Sequence, residues 1–291
     1  MSVKKVVVTG GSGRVGRSVV AELAAGHDVV NADLAAGGSD VEYVQTDVMD
    51  LESVRRVLKG ADAVVHLAAL DYDWNCAPEE YIRVNTLGSW HVLQAAAENE
   101  LQKVVLCSSI SACGLSEMRP DWKPQALQVD EQHELRPVQA YSVSKQIIET
   151  MGRSYATGTS MDVLCLRPLA VVLPETLGEY LEFVEAPDRN WLFYYVGVED
   201  VATAFRAAVD LEGLKYGTFF LSADDTSRPE PTLDWYRERI GELPEILNPR
   251  VFQTNPRASI FSNRKAREVL GWEPTTDFLK MRDRHRADAS H

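Results

Sequence analysis

Long hydrophobic runs are missing from this sequence of 291 residues. The longest apolar stretches fall far short of the roughly 20 residues that a membrane-spanning helix needs. The N-terminal residues "MSVKKVVVTGG" contain no long apolar segment and no small-residue cleavage site, so they do not resemble a secretory signal. We therefore expect a cytoplasmic protein that does not bind a membrane.

Cysteine is also scarce, and its four positions lack the paired spacing of zinc sites. Cys107 and Cys165 lie in apolar, strand-like runs, which favours buried thiols over disulfides. The histidines show no metal-ligand spacing either. The sequence therefore predicts no metal site.

Basic residues are outnumbered, with 30 Lys and Arg against 43 Asp and Glu, for a net charge of −13. A nucleic-acid-binding protein normally needs a basic face. The most basic stretch, the C-terminal "KMRDRHRAD", is interrupted by aspartates. We therefore expect no nucleic-acid partner, and a small molecule as substrate.

Strand-like and helix-like runs alternate along the first 170 residues. The strand-like runs are apolar throughout, which is typical of a parallel sheet covered by helices on both faces. Strands are predicted at 4–10, 27–33, 61–69, 102–109 and 161–168, and helices at 16–26, 50–60, 77–100 and 138–156. The pattern predicts the α/β class, with a Rossmann-like, doubly wound parallel sheet.

The pattern loosens after residue 170, where Pro-rich, acidic stretches surround a predicted helix at 197–211 and strand at 217–223. We expect residues 1–170 to form a dinucleotide-binding domain to which 195–224 return. Residues 171–194 and 225–291 would then form a small C-terminal substrate lobe.

Three glycines, Gly10, Gly13 and Gly16, separate the first predicted strand from the first helix. Without Cβ atoms they allow a pyrophosphate to approach the backbone, and the helix N-terminus favours an anion. A tight turn would also use glycine, but the strand–loop–helix context favours nucleotide binding.

Two aspartates near this loop end strands: Asp33 ends the predicted strand 27–33, and Asp47 closes a further strand in "VQTDVMD". Asp33, 17 residues past Gly16, can accept the hydroxyls of an adenosine ribose and repel a 2′-phosphate, which favours NAD over NADP. It could instead cap a turn, and Arg14 or Arg17 could favour NADP. Asp47, beside Val48, could border the adenine or simply stabilise a turn.

Tyr141 and Lys145 are four residues apart in a predicted helix, so both lie on one face. An ammonium beside a phenol favours the phenolate, which predicts that the pKa of Tyr141 is lowered. A serine hydroxyl at the end of the strand 102–109 could bind the substrate oxygen. Ser108, Ser109 and Ser111 all compete for that role, and we favour Ser109.

These residues together resemble the extended short-chain dehydrogenase/reductase superfamily, in its NAD-dependent epimerase/dehydratase-like group. The resemblance covers almost the whole chain. Its motifs are "TGGSGRVG", Asp33, "HLAA" at 66–69, Asn85, "SS" at 108–109, "YSVSK", "LRP" at 166–168, "VGVEDVATAF" and "SNRKAREVLGWEP".

The resemblance implies a role for each matching position. Ser109 would polarise the substrate oxygen, Tyr141 would be the acid/base, and Asn85 would hold a helix distortion or a water near the site. Lys145 would bind the nicotinamide ribose and tune Tyr141. The implied NAD site comprises Gly10, Gly13, Arg14, Val15 and Gly16 at the pyrophosphate loop, Asp33 at the ribose, Asp47 and Val48 at the adenine, Leu67, Ala68 and Ala69 along the centre, Asn85, Tyr141 and Lys145 at the reacting end, and Pro168 facing the nicotinamide.

The chain departs from relatives of that group that act on nucleotide sugars. The segment at the end of the predicted strand 161–168 reads "RPLAVVLPE", and the lobe lacks an obvious basic cluster for a diphosphate. Uronate dehydrogenases supply an arginine where this chain has "VLPETLGEYL", so hexuronate would depend on Arg189 or Arg228.

We therefore predict an NAD-dependent dehydrogenase or reductase of a small sugar, polyol or related hydroxy or keto compound. A sugar epimerase with tightly held NAD and a non-catalytic NAD-binding redox sensor are the alternatives. The resemblance also implies a homodimer that pairs helices 77–100 and 138–156, with Trp90, Val92, Leu93, Ile147, Ile148 and Met151 as apolar candidates for the contact.

Overall fold

The computed structural model describes residues 3–38, 40–72, 74–186 and 191–288. The strands are β1 (Lys5–Thr9), β2 (Asp28–Asp33), β3 (Glu42–Gln45), β4 (Ala63–His66), β5 (Lys103–Cys107), β6 (Ala126–Leu127), β7 (Asp162–Pro168), β8 (Val171–Val172), β9 (Val196–Gly197), β10 (Tyr216–Leu221) and β11 (Glu245–Ile246). The α-helices are α1 (Arg14–Ala24), α2 (Leu51–Leu58), α3 (Pro78–Tyr81), α4 (Gly88–Glu98), α5 (Ala140–Gly158), α6 (Leu177–Glu185), α7 (Val198–Asp210), α8 (Thr232–Arg239), α9 (Pro249–Thr254) and α10 (Phe278–Asp288).

Seven of the strands form one parallel sheet in the order β10-β7-β5-β4-β1-β2-β3. The strand order reverses between β1 and β4, where Val8 lies opposite Val65. In a doubly wound sheet, ligands bind beyond the carboxyl ends of the strands at this reversal. The predicted fold class is therefore confirmed, and the fold locates the crevice.

Two apolar cores cover the two faces of the sheet. Val6 and Val8 of β1 face the core that contains α1 and α7 residues, and Val7 faces the core that contains α2 and α4 residues. Successive strand side chains point to opposite faces, so a strand packed on both faces is apolar throughout. This is why the strand-like runs of the sequence lack polar alternation.

The predicted helix 77–100 is one continuous helical run with a change of type in its middle. Helix α3 passes into a π-helical segment at Ile82–Leu87, which passes into α4. Asp50 is the N-cap of α2, because its carboxylate accepts the N–H of Glu52.

The segments after residue 170 divide between the sheet and its carboxyl edge. Strand β10 returns to the sheet beside β7, β8 pairs with β9, and α6 contacts α10. The division into two domains stays a prediction. Among the described residues, no helix is long and apolar enough to span a membrane.

Candidate active site

The glycine loop joins β1 to α1 at the strand reversal. Gly10 has a φ of +75°, and a Cβ built on it would come within 2.5 Å of the Ala68 backbone nitrogen. Gly13 is the N-cap of α1 and offers no side chain to the first-turn N–H groups, and that turn carries no acidic residue. These donors, which Arg14, Val15 and Gly16 contribute, therefore remain available to an anion.

Asp33 ends β2 beside this loop. Its Oδ2 accepts the Ser12 N–H at 2.9 Å and its Oδ1 accepts the Leu34 N–H at 2.7 Å. The carboxylate therefore stabilises the loop as a capping group would. Because each carboxylate oxygen can accept further hydrogen bonds, it also remains able to bind hydroxyls.

The two residues predicted at the adenine side have structural contacts of their own. Asp47 Oδ1 accepts the Met49 N–H at 2.8 Å, which is the turn contact considered as its alternative role. Val48 is buried in the core beneath α4, and its carbonyl contacts His91 Nδ1 at 2.8 Å. Both residues follow β3, next to the end of β2.

The predicted central stretch of the cofactor site follows β4. The Leu67 and Ala68 N–H groups both bond to the Thr9 carbonyl, at 2.9 and 3.1 Å. This contact brings the start of the 67–69 segment against Gly10, while Ala69 is exposed. Pro168, the last residue of β7, ends a strand two positions along the sheet from β4.

Three predicted catalytic side chains meet where β5 ends. Tyr141, in the first turn of α5, is buried and lies beside the Ser109 side chain, which acts on its pKa. Lys145 is one turn further along α5 and donates from Nζ to the Cys107 carbonyl at 2.9 Å. The Lys145 Nζ lies 5.5 Å from the centroid of the Tyr141 ring.

The structure distinguishes the three candidate serines. The Ser108 hydroxyl donates to Glu149 at 2.5 Å, and the Ser111 hydroxyl accepts from Ser116 at 2.9 Å. Ser109 accepts the Ser111 N–H at 3.1 Å and also contacts Tyr141. Ser109 is therefore the serine placed beside the predicted acid/base.

The expected lowering of the Tyr141 pKa is wrong for the protein as the structure describes it. Burial raises the pKa of Tyr141 well above its usual value of 10, and the nearby Asp71 carboxylate raises it further. The neighbouring Ser109 side chain lowers the pKa of Tyr141 and opposes this shift only in part. Lys145 lies against the ring and donates to a carbonyl, and burial lowers the pKa of Lys145 itself.

Asn85 lies inside the π-helical segment. Its side chain forms two hydrogen bonds with the Leu70 backbone, Oδ1 accepting at 2.8 Å and Nδ2 donating at 3.1 Å. The same Nδ2 donates to the Ser144 hydroxyl of α5 at 3.2 Å. The helix distortion implied for Asn85 is thus present, and the residue connects it to the loop after β4 and to α5.

Several residues around this site were not identified from the sequence. The Tyr72 and Tyr81 rings pack edge-on against Tyr141, with centroids 5.5 and 5.8 Å away. Asp71 forms an ion pair with Arg14 of the glycine loop at 2.8 Å. The sequence signal for Asp71 and Tyr72 is their place in the stretch "LDYDW", which directly follows "HLAA" and so lies close to the site.

A buried ion pair also lies behind the site. Arg167 of β7 forms two hydrogen bonds with Glu149 of α5, at 2.7 and 2.6 Å, and both side chains are buried. The spacing of four between Lys145 and Glu149 places both on one helix face, which could have indicated the glutamate. Among the described residues, no group of His, Cys, Asp and Glu side chains is arranged to hold a metal ion.

Relatives of known activity include both dehydrogenases and epimerases. The chain is 28% identical over 211 residues to L-arabinose 1-dehydrogenase (NAD(P)+) of Haloferax volcanii, covering 71% of this chain and 82% of the relative. It is 27% identical over 310 residues to UDP-glucose 4-epimerase of Corynebacterium glutamicum, covering 93% and 91%.

A similar solved structure is an NAD-bound short-chain dehydrogenase/reductase superfamily protein from Agrobacterium tumefaciens. It has a TM-score of 0.70 and 22% identity, covering 99% of this chain and all of that one, and so supports the fold. The model of the NAD-dependent epimerase/dehydratase family matches residues 6–186, more than half of the chain. The chain belongs to the NAD-dependent epimerase/dehydratase family, which confirms the predicted family, the short-chain enzyme type and NAD as the cofactor.

Proposed function

We propose that the protein is an NAD-dependent dehydrogenase or reductase of a small sugar, polyol or related hydroxy or keto compound. The observation that carries this proposal is the contact between the Ser109 and Tyr141 hydroxyls beside Lys145. These groups lie at the carboxyl end of β5, on the side of the sheet where a doubly wound fold binds its ligand.

The residues of the crevice fit a dinucleotide. The Gly10 backbone approaches Ala68 so closely that a side chain would not fit, and the N-terminus of α1 offers donors to a pyrophosphate. Asp33 would hold the adenosine ribose, and Lys145 the nicotinamide ribose. When bound, NAD supplies a hydride acceptor, and NADH supplies the donor for the reverse reaction.

Ser109 and Tyr141 would share the work on the substrate oxygen. During oxidation, Ser109 donates a hydrogen bond to that oxygen and Tyr141, once its own proton has been lost, takes the hydroxyl proton as the phenolate. During reduction, Tyr141 returns the proton. The burial that raises the pKa of Tyr141 keeps the phenol protonated in the free protein, which favours its role as the acid.

Two features support a small, uncharged substrate. Tyr72 and Tyr81 give the surroundings of Tyr141 an aromatic character, and Asp71 adds negative charge. Of the two arginines considered for a sugar carboxylate, Arg228 binds Glu230 at 2.8 and 2.7 Å. Arg189 lies outside the described residues. The relative that acts on L-arabinose agrees with a free sugar.

An epimerase that retains NAD is the second candidate. The C. glutamicum relative, a UDP-glucose 4-epimerase, covers 93% of this chain, against 71% for the arabinose dehydrogenase. A redox sensor without turnover is less well supported, because Tyr141 and Lys145 are both present and placed together.

One assay separates these functions. The purified protein is incubated with NAD and, in turn, L-arabinose, other aldoses, polyols and UDP-glucose, while NADH absorbance and sugar products are followed. We expect sustained NADH formation with a free sugar or polyol. Isomerisation of UDP-glucose without net NADH would identify the epimerase, and reversible NAD binding with no conversion would identify the sensor.

We predict a preference for NAD over NADP, because the Asp33 carboxylate would repel a 2′-phosphate. Two like charges about 8 Å apart near the surface of a protein repel each other by about 2 kcal/mol, which corresponds to ~30-fold in kcat/KM. Asp33→Asn keeps one hydrogen-bond acceptor for the loop and removes the charge. The preference of this variant for NAD over NADP should therefore be smaller than that of the native protein. Asp28→Asn, which removes an exposed carboxylate at the opposite end of the same strand, is the control and should leave the preference unchanged. Similar kcat/KM for both cofactors in the native protein would show that Arg14 or Arg17 overrides Asp33.

We also propose a homodimer formed through α4 and α5. The structure corrects part of the predicted contact, because Val92, Leu93 and Ile148 are buried in the core of the single chain. Trp90 remains 43% exposed and packs edge-on against Tyr155 of α5, with centroids 5.3 Å apart. This pair joins the outer faces of the two helices and is available to a second copy.

Light scattering tests the dimer. We expect a mass twice that of the 32.4 kDa chain, and Trp90→Glu should reduce it to one chain because it places a charge in the contact. Leu247→Glu, at an exposed leucine outside these helices, should leave the mass unchanged. A native protein with the mass of one chain and full activity would contradict the proposal.

A further inference from the structure

A line of buried polar side chains runs beneath the crevice from β1 to α5. Each member is at most 4% exposed. Each is hydrogen-bonded to the next through side chains, except that Ser89 bonds to the backbone carbonyl of Asn85. We call it the buried polar chain, and it consists of Thr9, His66, Ser89, Asn85 and Ser144.

The first half of the buried polar chain connects β1 to the π-helical segment. Thr9 Oγ1 lies 2.7 Å from His66 Nδ1, and His66 Nε2 lies 2.9 Å from Ser89 Oγ. The Ser89 hydroxyl donates to the Asn85 carbonyl at 2.6 Å. Thr9 directly precedes Gly10, so this end of the chain lies at the cofactor loop.

The second half reaches the catalytic helix. Asn85 Nδ2 donates to the Ser144 hydroxyl at 3.2 Å, and that hydroxyl donates to the Tyr141 carbonyl at 2.6 Å. Asn85 also holds the Leu70 backbone in the loop after β4. The buried polar chain therefore contacts the backbone of the proposed acid/base.

The direction of the hydrogen bonds can be assigned from these contacts. Burial lowers the pKa of His66 to about 3, so the ring is neutral and has one donor and one acceptor. Since the Ser89 proton is used by the Asn85 carbonyl, His66 Nε2 must donate to Ser89. Nδ1 is then the acceptor, and Thr9 donates to it.

All the donors therefore point the same way, from Thr9 toward Tyr141. The bonds from Thr9 to the Asn85 carbonyl are in series, so they polarise and strengthen one another in a low-dielectric interior. Breaking one would leave a buried polar group without a partner. Such a chain resists displacement of one end relative to the other.

We propose that Thr9, His66 and Ser89 are positioning residues that fix the Tyr141 backbone relative to the glycine loop. The inference rests on the proposed function, in which Tyr141 acts on a substrate that lies against the bound cofactor. A fixed distance between these two ends keeps the phenol aligned with the reacting carbon, and small misplacements are costly to the reaction rate.

Kinetics of variants at both ends test the proposal. Thr9→Val keeps the shape of the side chain and removes its donor, and Ser144→Ala breaks the far end. We expect each to lower kcat about 10-fold, with the KM for NAD changed less than ~2-fold, because the chain acts on alignment. Thr9→Ser retains the hydroxyl and should restore kcat.

The double variant separates positioning from simple destabilisation. If one break already uncouples the two ends, Thr9→Val with Ser144→Ala should be no slower than the slower single variant. Independent structural effects would multiply to about 100-fold, which would overturn the proposal. Thr232→Val removes another buried threonine hydroxyl, bonded to the Ala258 carbonyl at 2.7 Å, and should keep its kcat.

A second measurement needs no substrate. Nitrogen NMR of the histidines should show His66 protonated on Nε2 and unprotonated on Nδ1 from pH 7 to pH 5, with His66→Gln identifying the signal. Protonation on Nδ1 would refute the buried polar chain even if the native enzyme is active. An inactive native protein with the expected tautomer would instead refute the proposed function.

Discussion

Replacing Tyr141 by phenylalanine should lower kcat by about 1,000-fold, within the range that general acid–base groups contribute. The phenylalanine keeps the ring that packs against Tyr72 and Tyr81, and it removes the hydroxyl that contacts Ser109. The glycine loop and Asp33 are untouched, so the affinity for NAD should change little. Turnover kinetics and a fluorescence titration with NAD measure the two effects.

Tyr155→Phe is the matched control for this variant. It makes the same chemical change on the same helix, but the Tyr155 ring packs against Trp90 on the outer face. Its kcat should stay within about 2-fold of the native value, since surface changes rarely disturb a distant site. If Tyr141→Phe kept a tenth or more of the native kcat, Tyr141 could not be the acid/base.

The parts of this protein that could be predicted from the sequence are those that depend on local pattern. Val6, Val7 and Val8 form an unbroken apolar run because β1 is buried on both faces. Gly10 directly follows β1 and Asp33 ends β2, so the pairing of these two strands brings them together. The spacing of four between Tyr141 and Lys145 was enough to place both on one face of α5.

Other features depend on residues far apart in the sequence. A lysine four residues away predicts a lowered pKa for Tyr141, but the burial of the phenol and the Asp71 carboxylate have the opposite effect. Ser108 and Ser109 are adjacent and chemically identical, and only the position of Glu149 shows which one faces Tyr141. The sequence could not show which α4 residues face outward and which pack into the core, because that depends on which side of the helix covers the sheet.

The second large effect is expected at the buried ion pair. Glu149→Ala should lower the free energy of unfolding by about 3–5 kcal/mol, because it leaves the Arg167 guanidinium buried without its carboxylate. The Ser108 hydroxyl also loses its acceptor, and the Glu149 side chain connects α5 to β7 and to the residue directly after β5. Urea unfolding measures the change through the midpoint at constant slope.

The exposed pair of Glu80 and Arg83 is the control for charge removal itself. These side chains lie in solvent, where an ion pair contributes little. Glu80→Ala should therefore leave the urea midpoint nearly unchanged. Equal shifts of the urea midpoint for Glu80→Ala and Glu149→Ala would show that burying the pair of Glu149 and Arg167 has no effect on the free energy of unfolding.

Removing both buried charges distinguishes a stabilising pair from a costly one. Taking two ions out of water is so unfavourable that replacing a buried pair by apolar residues of similar volume is often neutral. Glu149→Leu with Arg167→Met should therefore recover much of the stability lost in Glu149→Ala, although the Ser108 hydroxyl still lacks its acceptor. A double variant as unstable as the single one would show that the loss comes from packing around α5, and that the unpaired arginine is not its cause.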